Sequence, residues 1–224
     1  MTVIAVTGLR REARIVQGEG VRTVIGGGDR LQLRHTLEAA IDSQTRGIIS
    51  IGLAGALAGS LGLGEIVIGA RVVSGEEEFV ADDGWINALL PKLPRSTPVG
   101  VVAGSDVVVA DRAAKAALAA KVPGAWAVDM ESHIAARAAA AHRIPFVVVR
   151  VISDTAWESL PPAALVAMTP DGGISYGRIL RALLARPQQL PALLRTGWHA
   201  ETAFAALLRC RDALGLFLGC PYLG

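Results

Sequence analysis

The sequence predicts an α/β fold, a single domain with a mostly parallel central sheet flanked by helices, followed by a helical C-terminal extension. Short β-branched runs that end at glycines alternate with amphipathic stretches, which is typical of a parallel sheet with helices on both faces. After Pro161 no strand pattern occurs. The 224 residues contain no Pro/Ser-rich or charge-rich linker, so we expect one domain, 1–224, with residues 1–160 as sheet core and 161–224 as extension.

The first elements are two strand–turn–helix units. Residues 3–6 form a short β-branched strand that ends at Thr7-Gly8 and leads into a helical segment at 11–16. Residues 21–25 form a second strand, and Asp29 is a suitable N-cap for the helix that follows. The apolar positions of that helix are Leu33, Leu37, Ala40 and Ile41.

The rest of the core repeats this alternation. Residues 48–51 form a strand that enters the run Gly52-Leu53-Ala54-Gly55, where glycine permits close backbone approach. Residues 146–152 have the clearest pattern of a buried strand. Further extended segments are 66–68, 72–73, 99–102 and 125–128, and further helices are 111–121 and about 130–142. In the extension, Leu/Ala-rich helical stretches are separated by Pro170, Pro187 and Pro191.

Composition and charge argue against several classes of protein. Apolar residues make up 52% of the chain, enough for a large core, and the net charge of +2 comes without a basic run, so nucleic acid is not an expected partner. Cys210 and Cys220 lack metal or disulfide spacing, and the four histidines are dispersed. Neither a secretion signal nor a membrane span is readable. We therefore expect a cytoplasmic protein without a metal site.

Three acidic residues follow strands at equivalent positions. Glu12 lies one turn after the first strand, Glu131 opens the helix after residues 125–128, and Asp154 follows the strand at 146–152. Ligands of parallel α/β sheets bind at the carboxyl ends of the strands, so a shared cleft is expected. Position alone leaves a purely structural role open for each, since acids also favour first helical turns and N-caps.

The segment VDMESHIAARAAAAHRIPFVVVRVISD, residues 128–154, resembles the signature of the purine nucleoside phosphorylase and methylthioadenosine/S-adenosylhomocysteine (MTA/SAH) nucleosidase superfamily. There a V-x-M-E stretch that opens a helix leads to a P-F-x-x-x-R-x-x-S-D strand, with the same spacing. The segments VTGLRREA, GLAGALAGSLGLGEIVIG and VAGSD follow the family's order, so the resemblance covers roughly residues 1–160. It implies a nucleoside phosphorylase-like fold and cleavage of a purine N-glycosidic bond.

The resemblance also implies roles for individual residues. Glu131 is implied to hold the ribose hydroxyls and Met130 to line the sugar. Asp154 is implied to protonate purine N7, and Glu12 to activate water. These roles suit the chemistry, because the departing purine needs an acid and leaves an oxocarbenium-like sugar. The other implied substrate-binding residues are Ser153, Leu53, Val108 and Val109, the valines standing where the family has an aromatic ring beside the base.

The nucleophile distinguishes two branches of the resembled family. The phosphorylases of this family have an arginine at the position of Glu12. They also have an arginine and a serine or threonine, as phosphate ligands, at the positions of Ser50 and Leu53. A carboxylate would repel a phosphate dianion, so hydrolysis without a cofactor is favoured. Phosphorolysis, with phosphate as co-substrate, stays open, since nucleosidases also usually have serine at the position of Leu53. The arginines available for a phosphate contact are Arg10, Arg11 and Arg14.

The C-terminal part resembles the hopanoid-associated branch of this family through TPDGG at 169–173 and ARPQQLPALLR at 185–195. That branch implies adenosylhopane as substrate, cleaved to adenine and a ribosylated hopanoid in hopanoid biosynthesis. A general MTA/SAH nucleosidase or a purine nucleoside phosphorylase is the alternative. The superfamily usually forms dimers or larger assemblies, so a homo-oligomer is expected.

Residues 198–219 place most apolar side chains near one helical stripe, a pattern typical of a helix packed on the domain or on a partner subunit. The alternative is an interfacial helix that contacts the inner membrane peripherally and helps to take a lipid substrate from it. Between residues 178 and 211, six arginines stand against Glu201 alone, a bias toward anionic headgroups. The apolar residues are Phe204, Leu207, Leu208, Leu214, Phe217 and Leu218.

Other functional classes fit less well. A dinucleotide-dependent oxidoreductase would need G-x-G-x-x-G after the first strand, and that pattern is missing there. A serine hydrolase would need G-x-S-x-G on a strand-to-helix turn, and the stretch AGSLG around Ser60 is out of register. A non-catalytic nucleotide-binding or assembly protein remains as an alternative, although the presence of all three acids argues against it.

Overall fold

Eight strands form one mixed sheet in the part of the chain that the structure, a computed structural model, describes: residues 1–167, 169 and 171–223. The strands are β1 (Thr2–Thr7), β2 (Val21–Ile25), β3 (Thr45–Ala56), β4 (Ile66–Ser74), β5 (Glu77–Val80), β6 (Val99–Gly104), β7 (Ala125–Asp129) and β8 (Phe146–Asp154). The helices are α1 (Arg10–Val16), α2 (Arg30–Ala40), α3 (Asp83–Leu89), α4 (Arg112–Lys121), α5 (Ser132–His142), α6 (Pro162–Leu165), α7 (Tyr176–Ala185) and α8 (Leu190–Leu214).

The sheet is mostly parallel and flanked by helices, which confirms the predicted fold class. β1 lies between β2 and β3, and β8 runs parallel to β3 on the other side. β4, β6 and β7 run parallel to one another. Antiparallel pairs join β4 to β5, β4 to β8 and β3 to β7, so β3, β8, β4, β6 and β7 form a closed ring of strands. The sequence pattern does not predict this closure.

β3 explains how the ring closes. The sequence predicts a strand over residues 48–51 followed by a glycine-rich turn, but β3 continues through that run to Ala56. Its last two residues pair with the last part of β7, while most of its length pairs with β1 and β8. Because β3 and β7 meet only near their carboxyl ends, those ends lie together although the two strands run in opposite directions.

Local signals account for most of the remaining elements. Asp29 caps α2 as predicted, since its carboxylate accepts hydrogen bonds from the backbone N–H groups of Leu31 and Gln32 at 3.0 Å. The glutamate-rich strand β5 and the seven-residue helix α3 lack a readable period and were not predicted. Glu131 occupies the N-cap position of α5 rather than its first turn.

The described part of the extension is helical, as expected, and Pro170 lies outside the described residues. Most of the apolar stripe of residues 198–219 packs against the core, as the packed-helix interpretation predicts. Leu208 is the exception, at 48% exposure. The buried members are Phe204, Leu207, Leu214 and Leu218. Among the described helices, none combines the length and apolarity needed to cross a membrane.

Candidate active site

A single pocket of about 220 Å³ contains every residue that the sequence analysis assigns to the site. It opens where β1, β3, β6, β7 and β8 end, so segments that are far apart in sequence contribute to it. The structure therefore brings the candidate acids together. The predicted residues that line the pocket are Glu12, Leu53, Val108, Val109, Met130, Glu131, Ser153 and Asp154.

Glu12 is held rigidly at the base of the pocket. Its Oε2 accepts hydrogen bonds from the backbone N–H groups of Gly8 (2.7 Å) and Leu9 (2.8 Å), and its Oε1 accepts one from Leu53 (2.7 Å). A side chain at Gly52 would place its Cβ 2.8 Å from this carboxylate, so only glycine fits there. Burial raises the pKa of Glu12, against the opposing effect of these three N–H donors.

Glu131 lies beside Glu12, close to the backbone of β1 and of the turn after β2. A Cβ at Gly8 would lie 2.9 Å from its Oε1, and one at Gly26 would lie 3.1 Å from its Cγ. Burial raises the pKa of Glu131 to about 8; the Arg150 charge opposes this, and the nearby acids Asp129 and Glu12 add to it. Glu131 is therefore a weaker acid than an exposed glutamate.

Arg150 is the cation beneath these acids and is fully buried in β8. Its Nε lies 2.5 Å from Asp129 Oδ2, and its Nη2 lies 3.6 Å from Glu131 Oε2. Nη2 also donates a 2.5 Å hydrogen bond to Ser50 Oγ. Burial opposes the charge, but the acids prevail and raise the pKa of Arg150. Ser50 is thus bonded to Arg150 and does not face the pocket.

Asp154, at the end of β8, also lines the pocket. Gly55 leaves room for it, since a Cβ there would lie 3.0 Å from Asp154 Oδ2. Ser153 Oγ lies 2.9 Å from Oδ1, in position to donate a hydrogen bond to it. The Lys115 ammonium forms an ion pair with Oδ2, and both side chains are buried. Asp154 therefore has a cationic partner of its own.

The arginines considered as phosphate ligands point away from the pocket. Arg10 pairs with Asp171 across a 2.5 Å contact, and Arg11 pairs with Glu201. Arg14 is exposed on α1. Within the described residues, no lysine or arginine lines the pocket.

Three residues of this site were not predicted from the sequence. Arg150 did carry a signal, because a charge inside the apolar run 146–152 must find a partner when the strand is buried. Asp129 lies within the V-D-M-E motif but was not assigned a role. Lys115 had no distinguishing signal, since it sits in an alanine-rich helix with other basic residues at both ends.

Solved structures of MTA/SAH nucleosidases share the fold of this chain. The MTA/SAH nucleosidase from Neisseria meningitidis in complex with methylthio-immucillin-A aligns with a TM-score of 0.71 at 17% identity, covering 95% of this chain and 97% of that one. The Colwellia psychrerythraea 34H nucleosidase in complex with adenine gives 0.67 at 19% identity, covering 96% of both chains. No curated protein matches the chain.

A family model described as the phosphorylase superfamily matches residues 15–185, most of the chain. The match includes the segment 128–154 that carries the sequence resemblance. The chain therefore belongs to the phosphorylase superfamily, and the expected enzyme class, an N-ribosyl hydrolase or phosphorylase, is confirmed at that level.

Proposed function

We propose that this enzyme hydrolyses the N-glycosidic bond of a 5′-substituted adenosine, with Glu12, Glu131 and Asp154 as its working carboxylates. The observation that carries the proposal is their convergence on one pocket from three distant segments. Buried acids around a developing sugar cation are the electrostatic arrangement that such a reaction requires.

Each carboxylate has a distinct task in this mechanism. Asp154 donates a proton to purine N7 as the C1′–N9 bond breaks, and the bonding electron pair leaves with the base. Glu12 accepts a proton from the attacking water, whose oxygen forms the new bond to C1′. Glu131 binds the ribose hydroxyls, and its negative charge in the ionised form stabilises the oxocarbenium-like sugar. Met130, Ser153, Leu53, Val108 and Val109 complete the substrate-binding surface.

The charges around the pocket favour water over phosphate as the nucleophile. Glu12 occupies the region a phosphate would need, and Asp129 and Glu131 add further negative charge beside it. Ser50 accepts a hydrogen bond from Arg150, and the three arginines of α1 do not line the pocket. A phosphate dianion would thus meet carboxylates without a compensating cation at the described pocket wall.

Adenosylhopane is the substrate that we favour, with MTA or S-adenosylhomocysteine as the alternative. The pocket of about 220 Å³ is small beside the usual 300–1,000 Å³ of drug-sized sites, so it suits the nucleoside alone. A polycyclic 5′ substituent would have to extend beyond it. Apolar side chains are available at the rim, where Val107 is 67% and Val108 is 43% exposed.

The extension offers an apolar surface suited to a lipid substrate, although not the one expected from residues 198–219. Residues 174–198 expose seven large apolar side chains. Two groups are spaced four residues apart, which places each on one helical face. No acidic residue occurs from 172 to 200, whereas Arg178, Arg181, Arg186 and Arg195 do. We propose that this segment contacts anionic lipid. The apolar side chains are Ile174, Tyr176, Leu180, Leu184, Leu190, Leu194 and Trp198.

Adenine release tests the catalytic proposal. Purified enzyme is assayed with MTA, S-adenosylhomocysteine and adenosylhopane, each with and without phosphate. We expect phosphate-independent release, fastest with adenosylhopane. Release that requires phosphate would replace hydrolysis by phosphorolysis, faster turnover of MTA would favour the general nucleosidase, and no release from any of them would favour a non-catalytic binding protein.

Vesicle sedimentation tests the lipid contact. The double variant Leu180→Ser/Leu184→Ser should sediment less than wild type with vesicles that contain phosphatidylglycerol. Leu208→Ser is the matched control, because Leu208 is also an exposed leucine but lies outside residues 174–198. Equal sedimentation of all three proteins would contradict the proposed surface.

A further inference from the structure

Lys115 is a buried cation that the mechanism above does not use. Its side chain is 1% exposed although it lies in an alanine-rich helix, α4. Burying an ammonium group costs several kcal/mol unless good partners compensate, and a methionine or leucine would fill similar volume without that cost. The position of Lys115 therefore calls for a reason beyond packing.

The partners of Lys115 use all of its hydrogen-bonding capacity. Nζ donates to Asp154 Oδ2, to the Thr155 carbonyl oxygen at 2.6 Å and to the Glu158 carbonyl oxygen at 3.2 Å. An ammonium group has three N–H donors, so each has a partner. The two carbonyl oxygens position the Lys115 ammonium independently of Asp154. The ammonium in turn fixes Asp154 Oδ2.

The other oxygen of Asp154 has a partner that can both donate and accept. Ser153 Oγ lies 2.9 Å from Asp154 Oδ1 and 3.3 Å from the Ala54 carbonyl oxygen. When Oδ1 carries a proton, the hydroxyl can donate to Ala54 instead. When Oδ1 is ionised, the hydroxyl can donate to it. Oδ1 can thus change its protonation state while Oδ2 stays bonded to Lys115.

We propose that Lys115 is a positioning residue for Asp154, a proposal that rests on Asp154 being the acid of the proposed function. The proton on Oδ1 moves to purine N7 while the C1′–N9 electron pair leaves with the base. Asp154 becomes an anion, and the Lys115 ammonium, which loses no proton, stabilises the charge as it forms. Lys115 thereby favours the transition state for leaving-group departure.

The other charged groups near Asp154 do not contact its carboxylate directly. The loop after β8 contributes Glu158, whose carboxylate is bonded to the Thr155 backbone and hydroxyl. From α8, His199 Nδ1 lies 3.5 Å from the Glu158 carboxylate, and Arg195 lines the same small cavity. In the described part of the chain, Lys115 is the cation in direct contact with Asp154.

The test compares two leaving groups in the Lys115→Met variant. One substrate is MTA, whose adenine departs with protonation at N7. The other is the p-nitrophenyl glycoside of 5-methylthioribose, whose leaving group departs without an enzyme acid. We expect kcat for MTA to fall about 10- to 100-fold with little change in KM, and kcat for the p-nitrophenyl glycoside to stay near wild type. A purely structural role would lower both rates equally, and that result would overturn the proposal.

Two further variants keep the result decisive. In an Asp154→Asn background, Lys115→Met should cause no further loss with MTA; an additive loss would contradict action through Asp154. Asp154→Asn with full MTA activity would defeat the proposed function itself, whereas an inactive Asp154→Asn beside a fully active Lys115→Met would defeat only the role of Lys115. If Lys115→Met does not fold, Lys115→Gln is assayed in the same way, and its ratio of the two rates does not depend on the folded fraction.

Discussion

The two sides of the pocket balance charge in different ways. On the side that we propose for the sugar, Glu12, Asp129 and Glu131 surround one cation, Arg150. On the side that we propose for the base, Asp154 has Lys115 to itself. The proposed sugar side thus carries an excess of acids, whose negative charge would stabilise a sugar that turns cationic. In the mechanism that we propose, Asp154 starts as the protonated acid beside the Lys115 ammonium, and loss of its proton brings this pair to net neutrality.

On both sides of the pocket, a glycine of β3 makes room for a carboxylate. The carboxylates of Glu12 and Asp154 press against Gly52 and Gly55 of β3, where a Cβ would come within 2.8 and 3.0 Å of them. The glycine-rich part of β3 is therefore a continuous strand whose missing side chains make space for the acids. Three backbone N–H groups then fix Glu12, whereas Asp154 is fixed by side chains.

The largest expected effect is the loss of activity when Glu12, the proposed base, is replaced, compared with the replacement of a surface acid. Glu12→Gln should lower kcat for adenine release by about 10²- to 10⁴-fold, because the amide cannot take a proton from water. Glu201→Gln is the control and should leave kcat unchanged, since Glu201 pairs with Arg11 outside the pocket. Steady-state kinetics with circular dichroism to verify folding decides the matter, and near-normal kcat for Glu12→Gln would remove Glu12 from the mechanism.

A second prediction concerns the dependence of the sugar side on its single cation. Arg150→Met should lower the free energy of unfolding by about 3–5 kcal/mol, because it leaves Asp129 and Glu131 buried without their partner. The exposed pair Arg71–Glu78, at 2.9 Å, supplies the control, and Arg71→Met should cost less than about 1 kcal/mol. Urea unfolding measures both. Similar losses of unfolding free energy in the two variants would show that the burial of Arg150 and its acids does not make their interaction stronger than that of the exposed pair.

The third effect is a pH dependence of stability, which is the smallest of the three when it is taken per pH unit. The pKa of Glu131 is about 8 in the folded chain, against an ordinary value of 4.5, so between these pH values the folded state binds more protons than the unfolded state. Stability from this group is complete below about pH 4.5 and is lost as the pH rises through about 8. The slope is at most about 1.4 kcal/mol per pH unit.

Glu131→Gln should remove this contribution. Unfolding free energies of wild type and Glu131→Gln, measured from pH 5 to pH 9, should therefore differ by an amount that changes with pH, with wild type losing more stability toward high pH. A difference that stays constant across this range would mean that Glu131 does not titrate abnormally.

The sequence predicted local elements better than it predicted the shape of the sheet. Strand β2 and the Asp29 cap were predicted at their observed positions, because both depend on neighbouring residues alone. Strand β5, helix α3 and the ring of strands were not predicted, since they depend on pairing between distant segments. The apolar stripe of residues 198–219 illustrates the same limit of sequence-based prediction. Its helical period is compatible with a membrane surface and with packing on the core.

The sequence by itself determined the α/β class and the superfamily motif, because both are written in local patterns and spacing, and the resemblance of that motif to the family pointed to the acids Glu12, Glu131 and Asp154. Only the tertiary structure decided which charges those acids meet. Arg150 and Lys115 are separated in the chain from most of their partners, and the effect of a charge depends on distance and burial in three dimensions, which spacing along the chain does not encode.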